Sequence, residues 1–399
     1  MKVVLVSSGF SEQKPGGVSA VVLNILHILG TKPDIEIQIA NFSNSVRDKL
    51  SLAIMDPKTY GSRRSTVSTT SEGFTISHFG NQISELELFR YKKRNDLKNY
   101  FSQFDIIIVV TGILQFANVI PELGKPVFVC CATRLSWERK SQYPNMKMLR
   151  RVVLHAQSPG LRILESRVTR RNFVFITINQ KMQDWILAKG KRRSVLWYPG
   201  VSKHYFSLIR NTIEGQAGHF VSVGRFAEAR KGWKRLILAY KHAYEIDSSI
   251  PKLILIGWGD FEPKVQEILD SWGANIPITV VKNATMEQRD LLVRTASYFL
   301  QTSHEEGLGL AAIESLRFGV PLICSDTDGS REYVIQDVTG KVVPQGKNFI
   351  KRFSVAILES RSWERSHLSE SCRELFENKF SQDKASEGFL NILKNFTRI

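Results

Sequence analysis

Two glutamates and two glycines lie within nine residues of each other, in a pattern suited to a charged ligand that is rich in hydroxyl groups. Because glycine has no Cβ, the backbone at Gly307 and Gly309 can approach a bulky anion closely. Ionised carboxylates only accept hydrogen bonds, so Glu306 and Glu314 suit sugar hydroxyls. We predict a ligand with a phosphate over the glycines and hydroxyls at both ends. An ordinary strand–helix unit with a buried cap and a surface glutamate explains the same residues equally well.

The flanking sequence predicts the elements that position these residues. Residues 296–303 form a strand-like run, and the helix after the glycines ends at Gly319, shortly before Pro321. The first backbone N–H groups of a helix lack intrahelical partners and can bind an anion. Glu314 lies more than one turn inside this helix, so it cannot touch the same ligand atom as Glu306.

Basic residues suited to a diphosphate follow an earlier predicted strand. Arg225 follows the strand-like run at residues 220–224, and Lys231 lies six residues later at the start of a helix. Two cations at such a turn can converge on one diphosphate, and Arg230 is a further, weaker candidate. Gly257 and Lys282 follow two other strands, whose carboxyl ends are expected to line the nucleotide pocket of a parallel sheet.

The segment around the two glutamates resembles the signature of the large retaining family of GT-B glycosyltransferases, the glycosyl transferases group 1 or family 4. The positions that match its pattern are Glu306, Gly307, Leu308, Gly309, Leu310, Glu314, Gly319 and Pro321. Leu308 stands where Phe is commoner. Arg225 and Lys231 resemble the family's Gly-Arg and Lys-Gly element. The resemblance implies that the first glutamate lies beside the donor sugar, that the glycine loop holds the diphosphate and that the second glutamate binds the ribose.

By this resemblance the chain has the GT-B fold, an α/β architecture of two Rossmann-like doubly wound domains that face each other across a cleft. Residues 1–200 are expected to bind the acceptor and residues 207–380 the nucleotide sugar, with a hinge at residues 199–207. Residues 381–399 are expected to form a helix that crosses back to the first domain. A length of 399 residues suits two domains of roughly 200 residues each.

The first domain matches the family more loosely. The turn glycines Gly16 and Gly17 are expected to face the donor phosphates or the acceptor. Many members carry a histidine at the end of the strand at residues 126–132, where this chain has an alanine followed by Thr133. We expect Thr133 and Arg134 to bind the acceptor instead, although ordinary loop roles explain both residues equally well. Trp137 is a further candidate.

Positive charge is concentrated in the first half of the chain. Residues 1–200 carry 29 Lys and Arg against 14 Asp and Glu, whereas residues 201–399 carry 26 against 24. Within residues 134–171, ten basic residues are interspersed with apolar ones, which predicts basic amphipathic helices broken at Pro159 and Gly160. Such helices can bind an anionic membrane surface, where each basic residue contributes about 1 kcal/mol. Alternatively, they cover the domain's own sheet with their basic residues outward.

The composition argues against several other classes of protein. No run of 18 or more apolar residues occurs, and the chain begins with a strand-like run, so we predict a cytoplasmic protein, peripheral at the inner face of the membrane. Four cysteines without CxxC spacing are predicted to be reduced core thiols. Trp137 and Tyr143 are the only Trp, Tyr or Phe residues in the basic segment 134–171. Because nucleic-acid binding favours aromatic residues interleaved with basic ones for base stacking, this scarcity argues against a nucleic-acid partner.

We therefore predict a retaining glycosyltransferase that moves a sugar from a nucleotide diphosphate sugar to a saccharide or lipid-linked acceptor, in bacterial cell-surface polysaccharide, lipopolysaccharide or glycolipid synthesis. Glu306, Lys231 and Arg225 are the predicted catalytic residues, and the cations replace a metal at the leaving diphosphate. Asp326 and Asp328 have metal-ligand spacing but lie where the family implies no metal. No cofactor is expected besides the donor substrate. A nucleotide-sugar epimerase or a nucleic-acid-directed glycosyltransferase of the same fold are the alternatives.

Overall fold

The chain forms two compact units. The computed structural model describes residues 1–12, 16–43, 48–54, 56–60, 64–142, 148–201 and 218–397. The first unit comprises residues 1–199 and 385–399, and the second comprises residues 200–384. Residues 13–15, just before the turn glycines Gly16 and Gly17, and most of the hinge predicted at residues 199–207 lie outside the described residues.

The first unit is built on an eight-stranded sheet. Its strands are β1 (Lys2–Ser8), β2 (Glu36–Phe42), β3 (Ser65–Thr69), β4 (Thr75–Phe79), β5 (Ile106–Ile113), β6 (Val127–Thr133), β7 (Val174–Thr177) and β8 (Ser194–Leu196). They are ordered β3-β4-β2-β1-β5-β6-β7-β8, and every pair is parallel except the β3–β4 hairpin. Val, Ile and Leu fill β1 and β5, because a parallel sheet covered by helices is buried on both faces.

The helices of this part of the chain are α1 (Gly17–Gly30), α2 (Glu87–Arg90), α3 (Lys98–Phe101), α4 (Leu135–Gln142), α5 (Met148–Arg170) and α6 (Gln180–Ala188). The prediction of broken helices at Pro159 and Gly160 is wrong, since α5 runs through both residues. Pro159 is exposed, so the carbonyl that loses its amide partner can bind water. Gly160 packs closely against Leu88, and a Cβ at position 160 would lie 2.9 Å from Cδ1 of Leu88. No helix in the described ranges is both long enough and apolar enough to cross a membrane.

The second unit contains a six-stranded sheet in which every neighbouring pair is parallel. Its strands are β9 (Phe220–Arg225), β10 (Leu253–Trp258), β11 (Ile278–Lys282), β12 (Tyr298–Gln301), β13 (Leu322–Ser325) and β14 (Gly340–Val343). Its helices are α7 (Trp233–Ile246), α8 (Pro263–Trp272), α9 (Met286–Arg294), α10 (Leu310–Arg317), α11 (Phe349–Glu359) and α12 (Arg365–Leu375). The order β11-β10-β9-β12-β13-β14 is that of the dinucleotide-binding doubly wound sheet.

The last helix, α13 (Gln382–Phe396), contributes to the first unit from Ala385 onward. The indole N–H of Trp197 donates a 2.9 Å hydrogen bond to the Ala385 carbonyl oxygen. The Trp197 ring also lies 5.0 Å from the ring of Phe389, which is fully buried. The apolar face of α13 is therefore part of the core of this unit.

The basic sequence at residues 91–100 favours one continuous helix, but the chain turns there and reaches α3 only through a short 3-10 helix, Asn95–Leu97. Arg94 is buried and donates hydrogen bonds to the Gly80 carbonyl oxygen and to the Asp96 carboxylate. This pairing fixes a turn where the residue pattern favoured a helix. The cysteines at residues 130, 131, 324 and 372 are buried, as the core assignment predicted.

Candidate active site

The loops that follow β9 and β12 meet at the carboxyl edge of the second sheet, where the strand order reverses on either side of β9. Gly232, at the end of the β9 loop, has a φ of 70°, and a Cβ there would lie 2.2 Å from the Thr302 carbonyl oxygen. The Thr302 hydroxyl donates a 3.0 Å hydrogen bond to the Gly232 carbonyl oxygen. A glycine at position 232 therefore lets the two loops touch.

Glu306 lies in the β12 loop and is paired with basic residues of the β9 loop. Its Oε2 lies 2.7 Å from Nζ of Lys231 and accepts a 3.1 Å hydrogen bond from the Ser303 hydroxyl. Its Oε1 lies 3.5 Å from Nη1 of Arg230. Two of the predicted catalytic residues, Glu306 and Lys231, are thus in direct contact, and Arg230 contacts the same carboxylate.

Burial and pairing act in opposite directions on the pKa of Glu306. Only 6% of the residue is exposed, and this burial by itself would raise the pKa of the carboxyl. The charges of Lys231 and Arg230, with hydrogen bonds from Lys231 and Ser303, outweigh burial and lower the pKa to about 2. Glu306 is therefore ionised at neutral pH and can accept hydrogen bonds from a ligand.

Glu228 joins Arg225 to this cluster and was not predicted from the sequence. One carboxylate oxygen of Glu228 lies 3.0 Å from Nη1 of Arg225, and the other lies 3.0 Å from Nη2 of Arg230. Arg225 thus connects to Glu306 through Glu228 and Arg230. The sequence signal for this role was an acidic residue between the basic residues of the predicted phosphate turn. Below, the site cluster means Arg225, Glu228, Arg230, Lys231 and Glu306.

Gly309 is required by its own neighbours as well as by any ligand. It precedes α10 with a φ of 92°, a left-handed conformation that favours glycine. A Cβ at this position would lie 2.4 Å from the Tyr333 hydroxyl and 3.2 Å from Cγ of Glu306. The backbone amide of Gly329 donates a 2.8 Å hydrogen bond to the Glu306 carbonyl oxygen. The start of α10 is therefore packed closely against the segment that carries Glu306.

Arg235, on α7, binds the backbone that leads to Glu306. Its guanidinium donates to the carbonyl oxygen of Thr302 at 2.5 Å and to that of Ser303. It also donates a 2.8 Å hydrogen bond to the side-chain oxygen of Gln345, whose amide in turn donates to the His304 carbonyl oxygen at 3.0 Å. Burial lowers the pKa of Arg235 to about 9. This role was not predicted from the sequence, because an arginine on the first turn of a helix resembles ordinary surface charge.

Glu314 is held by an arginine from α9. Its Oε2 lies 3.1 Å from Nη1 of Arg289, which also contacts Asp290 at 2.9 Å. Burial raises the pKa of Glu314 and Asp290 adds to the increase, whereas Arg289 opposes it. Glu314 is the fifth residue of α10, inside the helix as predicted. Arg289 was not predicted as a partner of Glu314, since nothing in its spacing indicates that contact.

Gly257 and Lys282, which were also predicted to bind the donor, lie in the same unit on neighbouring strands. Gly257 pairs in register with Gly224 on one side and Lys282 on the other, and a Cβ on Gly257 would lie 2.0 Å from the Gly224 carbonyl oxygen. Position 257 therefore requires glycine, because β9 lies too close for a side chain. Nζ of Lys282 lies 2.7 Å from Asp260, and both side chains are exposed.

The loop residues between the two glutamates have different environments. Leu308 is 3% exposed, so its side chain packs in the protein, as expected for a residue that replaces an aromatic one. Gly307 is partly exposed, and Leu310 is the first residue of α10. The first backbone N–H groups of this helix start beside the site cluster.

The remaining predicted residues lie in the first unit. Gly16 precedes α1 in an extended conformation, and Gly17 begins that helix and is exposed. Thr133 ends β6 and is buried. The guanidinium of Arg134 lies 2.5 Å from the Glu165 carboxylate and 4.1 Å from the ring centre of Trp185. The contacts of Arg134 with Glu165 and Trp185 were not predicted, because both residues are distant from it in the chain.

Within the described part of the chain, no three His, Cys, Asp or Glu side chains are grouped so that they could hold a metal ion. Both carboxylate oxygens of Asp326 accept hydrogen bonds from Arg331, at 2.7 and 2.9 Å. Both carboxylate oxygens of Asp326, one of the two aspartates with metal-ligand spacing, are therefore hydrogen-bonded to Arg331.

Comparison with known sequences confirms the resemblance to the glycosyltransferase family. Residues 209–374 match the family model described as Glycosyl transferases group 1. A poly(glycerol-phosphate) alpha-glucosyltransferase of Bacillus subtilis is 28% identical over 207 residues, which are 51% of this chain and 29% of that protein. An uncharacterized glycosyltransferase of Methanocaldococcus jannaschii is 25% identical over 56% of this chain and 59% of its own length. The matched region thus spans less than two thirds of both curated relatives.

Comparison with solved structures confirms the GT-B fold. The chain resembles WaaG, a glycosyltransferase involved in lipopolysaccharide biosynthesis, with a TM-score of 0.65 and 15% identity over 98% of this chain and 99% of that one. It resembles the Anabaena protein Alr3699/HepE, solved in complex with UDP, with a TM-score of 0.66 and 16% identity over 99% and 100% of the two chains. At these identities the similarity demonstrates the fold alone.

Proposed function

Because the second unit carries the group 1 glycosyltransferase domain on a GT-B fold, we propose that this protein transfers a sugar from a nucleotide diphosphate sugar to an acceptor hydroxyl with retention of the anomeric configuration. The observation that carries the proposal is the buried contact of Glu306 with Lys231, supported by Arg230. It lies where the strand order reverses, the position at which open parallel sheets bind nucleotides.

The charges of the site cluster suit a pyrophosphate. Three cations, Arg225, Arg230 and Lys231, lie with two carboxylates, Glu228 and Glu306, so the cluster has an excess of positive charge. A donor diphosphate would take over part of the pairing that Glu228 and Glu306 now provide. Arginine binds two phosphate oxygens at once, whereas lysine acts as a compact point charge.

The same groups account for the chemical step. Negative charge builds up on the diphosphate as the glycosidic bond breaks, and preorganised cations lower the energy of that state without a metal ion. The backbone N–H groups at the start of α10 add to this stabilisation. Glu306 is ionised and orients the sugar hydroxyls, while a phosphate oxygen accepts the acceptor's proton on the same face. The acceptor oxygen forms its bond to the anomeric carbon as the bond from that carbon to the diphosphate breaks, so the reaction needs no paired acid and base.

Glu314 is the proposed ribose ligand. It lies inside α10, whereas Glu306 lies ahead of that helix, so the two carboxylates suit opposite ends of one donor. Arg289 holds the Glu314 carboxylate in place at 3.1 Å. Ribose hydroxyls would donate to the carboxylate oxygens, which only accept hydrogen bonds when they are ionised.

We propose a cell-surface glycan or glycolipid as the product, made at the inner face of the membrane. The proteins of similar sequence or fold named above include a poly(glycerol-phosphate) alpha-glucosyltransferase and a glycosyltransferase involved in lipopolysaccharide biosynthesis. Helix α5 supports the membrane contact. Its outer face carries Arg151, Arg162 and Arg167 beside Val152 and Ile163, which are 56% and 54% exposed. Exposed apolar side chains between arginines are typical of helices that lie on anionic lipid.

Two measurements test the transfer reaction. A panel of nucleotide sugars is screened for protection of the protein against thermal unfolding, and the protective donor is then incubated with lipid-linked and soluble saccharide acceptors. We expect one donor to protect and to yield a product with retained configuration. Release of an altered nucleotide sugar without any acceptor would favour an epimerase, and protection by no nucleotide sugar would contradict the proposal.

Liposome flotation tests the membrane contact. We expect flotation with vesicles that contain phosphatidylglycerol but not with purely zwitterionic vesicles, and about fivefold weaker flotation for Val152→Ser combined with Ile163→Ser. Ile246→Ser is the matched control, because Ile246 is 60% exposed on the second unit. Equal flotation on both vesicle types would exclude a membrane contact that depends on anionic lipid. An equal loss of flotation in the control would exclude α5 as the membrane-binding element.

A further inference from the structure

Two tryptophans lie at the carboxyl edge of the first sheet. Trp137 is on α4 and Trp185 is on α6, and these helices begin directly after the neighbouring parallel strands β6 and β7. Asn179 fixes the start of α6, because its Oδ1 accepts a 2.9 Å hydrogen bond from the Met182 amide and its Nδ2 donates a 2.8 Å hydrogen bond to the Ala132 carbonyl oxygen. Trp137 lies in the first turn of α4 and Trp185 in the second turn of α6, and Arg134, which directly follows β6, contacts both rings. The pair therefore lies beside the edge where open parallel sheets bind ligands.

The two indole rings form an edge-to-face pair that remains partly exposed. Their centres are 6.4 Å apart and their planes are inclined by 78°. Both Trp137 and Trp185 pack against the apolar core of the unit, and both remain partly exposed. An aromatic surface that is anchored by the core and reaches solvent can stack against the apolar face of a sugar ring.

Arg134 holds this pair together and contributes no net charge to it. Its guanidinium lies 4.1 Å from the ring centre of Trp185 and 5.3 Å from that of Trp137. The buried Glu165 neutralises it at 2.5 Å and accepts a further 3.1 Å hydrogen bond from Gln115. Arg134 was predicted to bind an acceptor, but its contacts are those of a residue that positions the two rings.

Two lysines supply the positive charge at the exposed side of the rings. Nζ of Lys181 lies 4.6 Å from the ring centre of Trp137, and Nζ of Lys189 lies 5.7 Å from that of Trp185. Both lysines are exposed. They belong to residues 180–193, which carry five Lys or Arg and one acidic residue, Asp184. The exposed surface of α6 and of the turn that follows it therefore attracts anions.

We propose that Trp137, Trp185, Lys181 and Lys189 form a binding site for an anionic acceptor chain, a saccharide or polyol that carries phosphate groups. The proposal rests on the proposed glycosyltransferase function and specifies its acceptor class. Sugar or polyol carbons would pack on the indoles, and phosphates would lie at the two lysines. Aromatic packing with charged groups at the rim gives both orientation and selectivity for a charged chain over a neutral one.

The binding experiment uses the full chain without a nucleotide sugar. Short glycerol phosphate oligomers are titrated into the protein by calorimetry, with maltohexaose as an uncharged chain and inorganic phosphate as the free anion. We expect the oligomers to bind at least about tenfold more tightly than either other probe, with affinity that falls as salt rises. Equal binding of inorganic phosphate would mean a simple anion site and would overturn the proposal.

Variants locate the site. Lys181→Gln combined with Lys189→Gln is expected to weaken oligomer binding about tenfold, in line with the loss of two exposed charge contacts. The matched control is Lys241→Gln in the second unit, where Nζ lies 5.3 Å from the ring centre of Trp272. Oligomer binding should change the indole fluorescence of the wild type, and Trp185→Phe should reduce that change while Trp272→Phe should not.

The outcomes separate the two proposals. If nucleotide sugars protect the protein but the oligomers do not bind, or if the double lysine variant binds like the wild type, the acceptor site is wrong while the transfer reaction stands. If the oligomers bind through the lysines and no nucleotide sugar protects the protein, the site is an anionic glycan-binding surface and the proposed transfer reaction is wrong.

Discussion

Nζ of Lys231 lies 2.7 Å from Oε2 of Glu306, so a buried ion pair links the loops that follow β9 and β12. The two residues are far apart in the chain, and the reversal of strand order at β9 brings their loops together. Side-chain exposures of 17% for Lys231 and 8% for Glu306 leave both charges largely out of water. Such a pair is costly to break, because the remaining partner is then a buried, unpaired charge.

Lys231→Met should therefore destabilise the protein and abolish protection by the donor. We expect the free energy of unfolding to fall by about 3 kcal/mol, the low end for a broken buried pair, because Arg230 still contacts Glu306. Urea unfolding measures this change. Lys282→Met is the control for stability, since its pair with Asp260 is exposed and is expected to contribute less than about 1 kcal/mol. An equal loss in both variants would argue against a special role for the Lys231 pair.

The depressed pKa of Glu306 predicts a specific dependence of stability on pH. Since the folded value is about 2 and the ordinary value is 4.5, the unfolded state binds the proton more readily below about pH 4.5. The ionised carboxylate thus stabilises the fold above pH 4.5, and this stabilisation, on the order of 3 kcal/mol, is lost as pH falls from 4.5 towards 2.

Glu306→Gln isolates this contribution. The difference in free energy of unfolding between the wild type and this variant should be constant from pH 5 to 7 and should shrink as pH falls below about 4.5. Urea unfolding at a series of pH values measures it. A difference that stays constant down to pH 3 would mean that the carboxyl is not held in its ionised form.

Much of the second unit follows from the sequence, for identifiable reasons. Its buried strands read as apolar runs, and the glycine loop before α10 marks the helix start. The prediction that Glu306 lies ahead of the helix and Glu314 inside it needed only the helical repeat, and α10 confirms it. Local patterns suffice wherever the decisive contacts lie close together along the chain.

Long-range contacts explain what the sequence did not reveal. Arg289 reaches Glu314 from another helix, and Arg235 binds carbonyl groups nearly seventy positions later in the chain. Neither arginine has a spacing that marks it. In the first unit, the helical pattern at residues 91–100 was overridden by the buried contacts of Arg94, and Pro159 failed to end α5 because it lies on the exposed face.

Gly309→Ala should impair the site more than its unusual backbone angle alone would explain. The variant forces a left-handed residue to carry a Cβ that lies 2.4 Å from the Tyr333 hydroxyl, so the start of α10 must shift. Gly346→Ala is the matched control, with a φ of 102° and open space at the Cβ. We expect about 1 kcal/mol of destabilisation in the control and a larger loss, with no donor protection, for Gly309→Ala.

Removing the Tyr333 hydroxyl tests whether its clash with the new Cβ causes the larger loss of stability in Gly309→Ala. Tyr333→Phe in the Gly309→Ala background should recover part of the lost stability, because the closest clashing atom is gone. Thermal unfolding with and without the donor measures both effects. Equal destabilisation by Gly309→Ala and Gly346→Ala, or no recovery in the double variant, would show that backbone strain rather than close packing sets the requirement for glycine.

Arg235→Met should loosen the backbone that carries Glu306. Arg235 donates to the carbonyl oxygens of Thr302 and Ser303, and its guanidinium lies 4.1 Å from the ring centre of Phe349. Losing these contacts should lower the free energy of unfolding by about 2–4 kcal/mol, because hydrogen bonds from a charged donor are strong and the carbonyls are left unpaired. Donor protection and kcat should fall as well, since Glu306 is no longer held in place.

Arg171→Met provides the matched control in the first unit. Arg171 also donates to two successive carbonyl oxygens, those of Ile120 and Pro121 at 2.6 and 2.8 Å, and lies 4.3 Å from the ring centre of Phe173. Burial lowers the pKa of both arginines, so the two substitutions remove similar interactions. Urea unfolding should show comparable losses of stability, whereas donor protection, compared at temperatures where both variants are folded, should fall only for Arg235→Met. If Arg171→Met reduces donor protection equally, the effect is one of general stability, and Arg235 does not position Glu306.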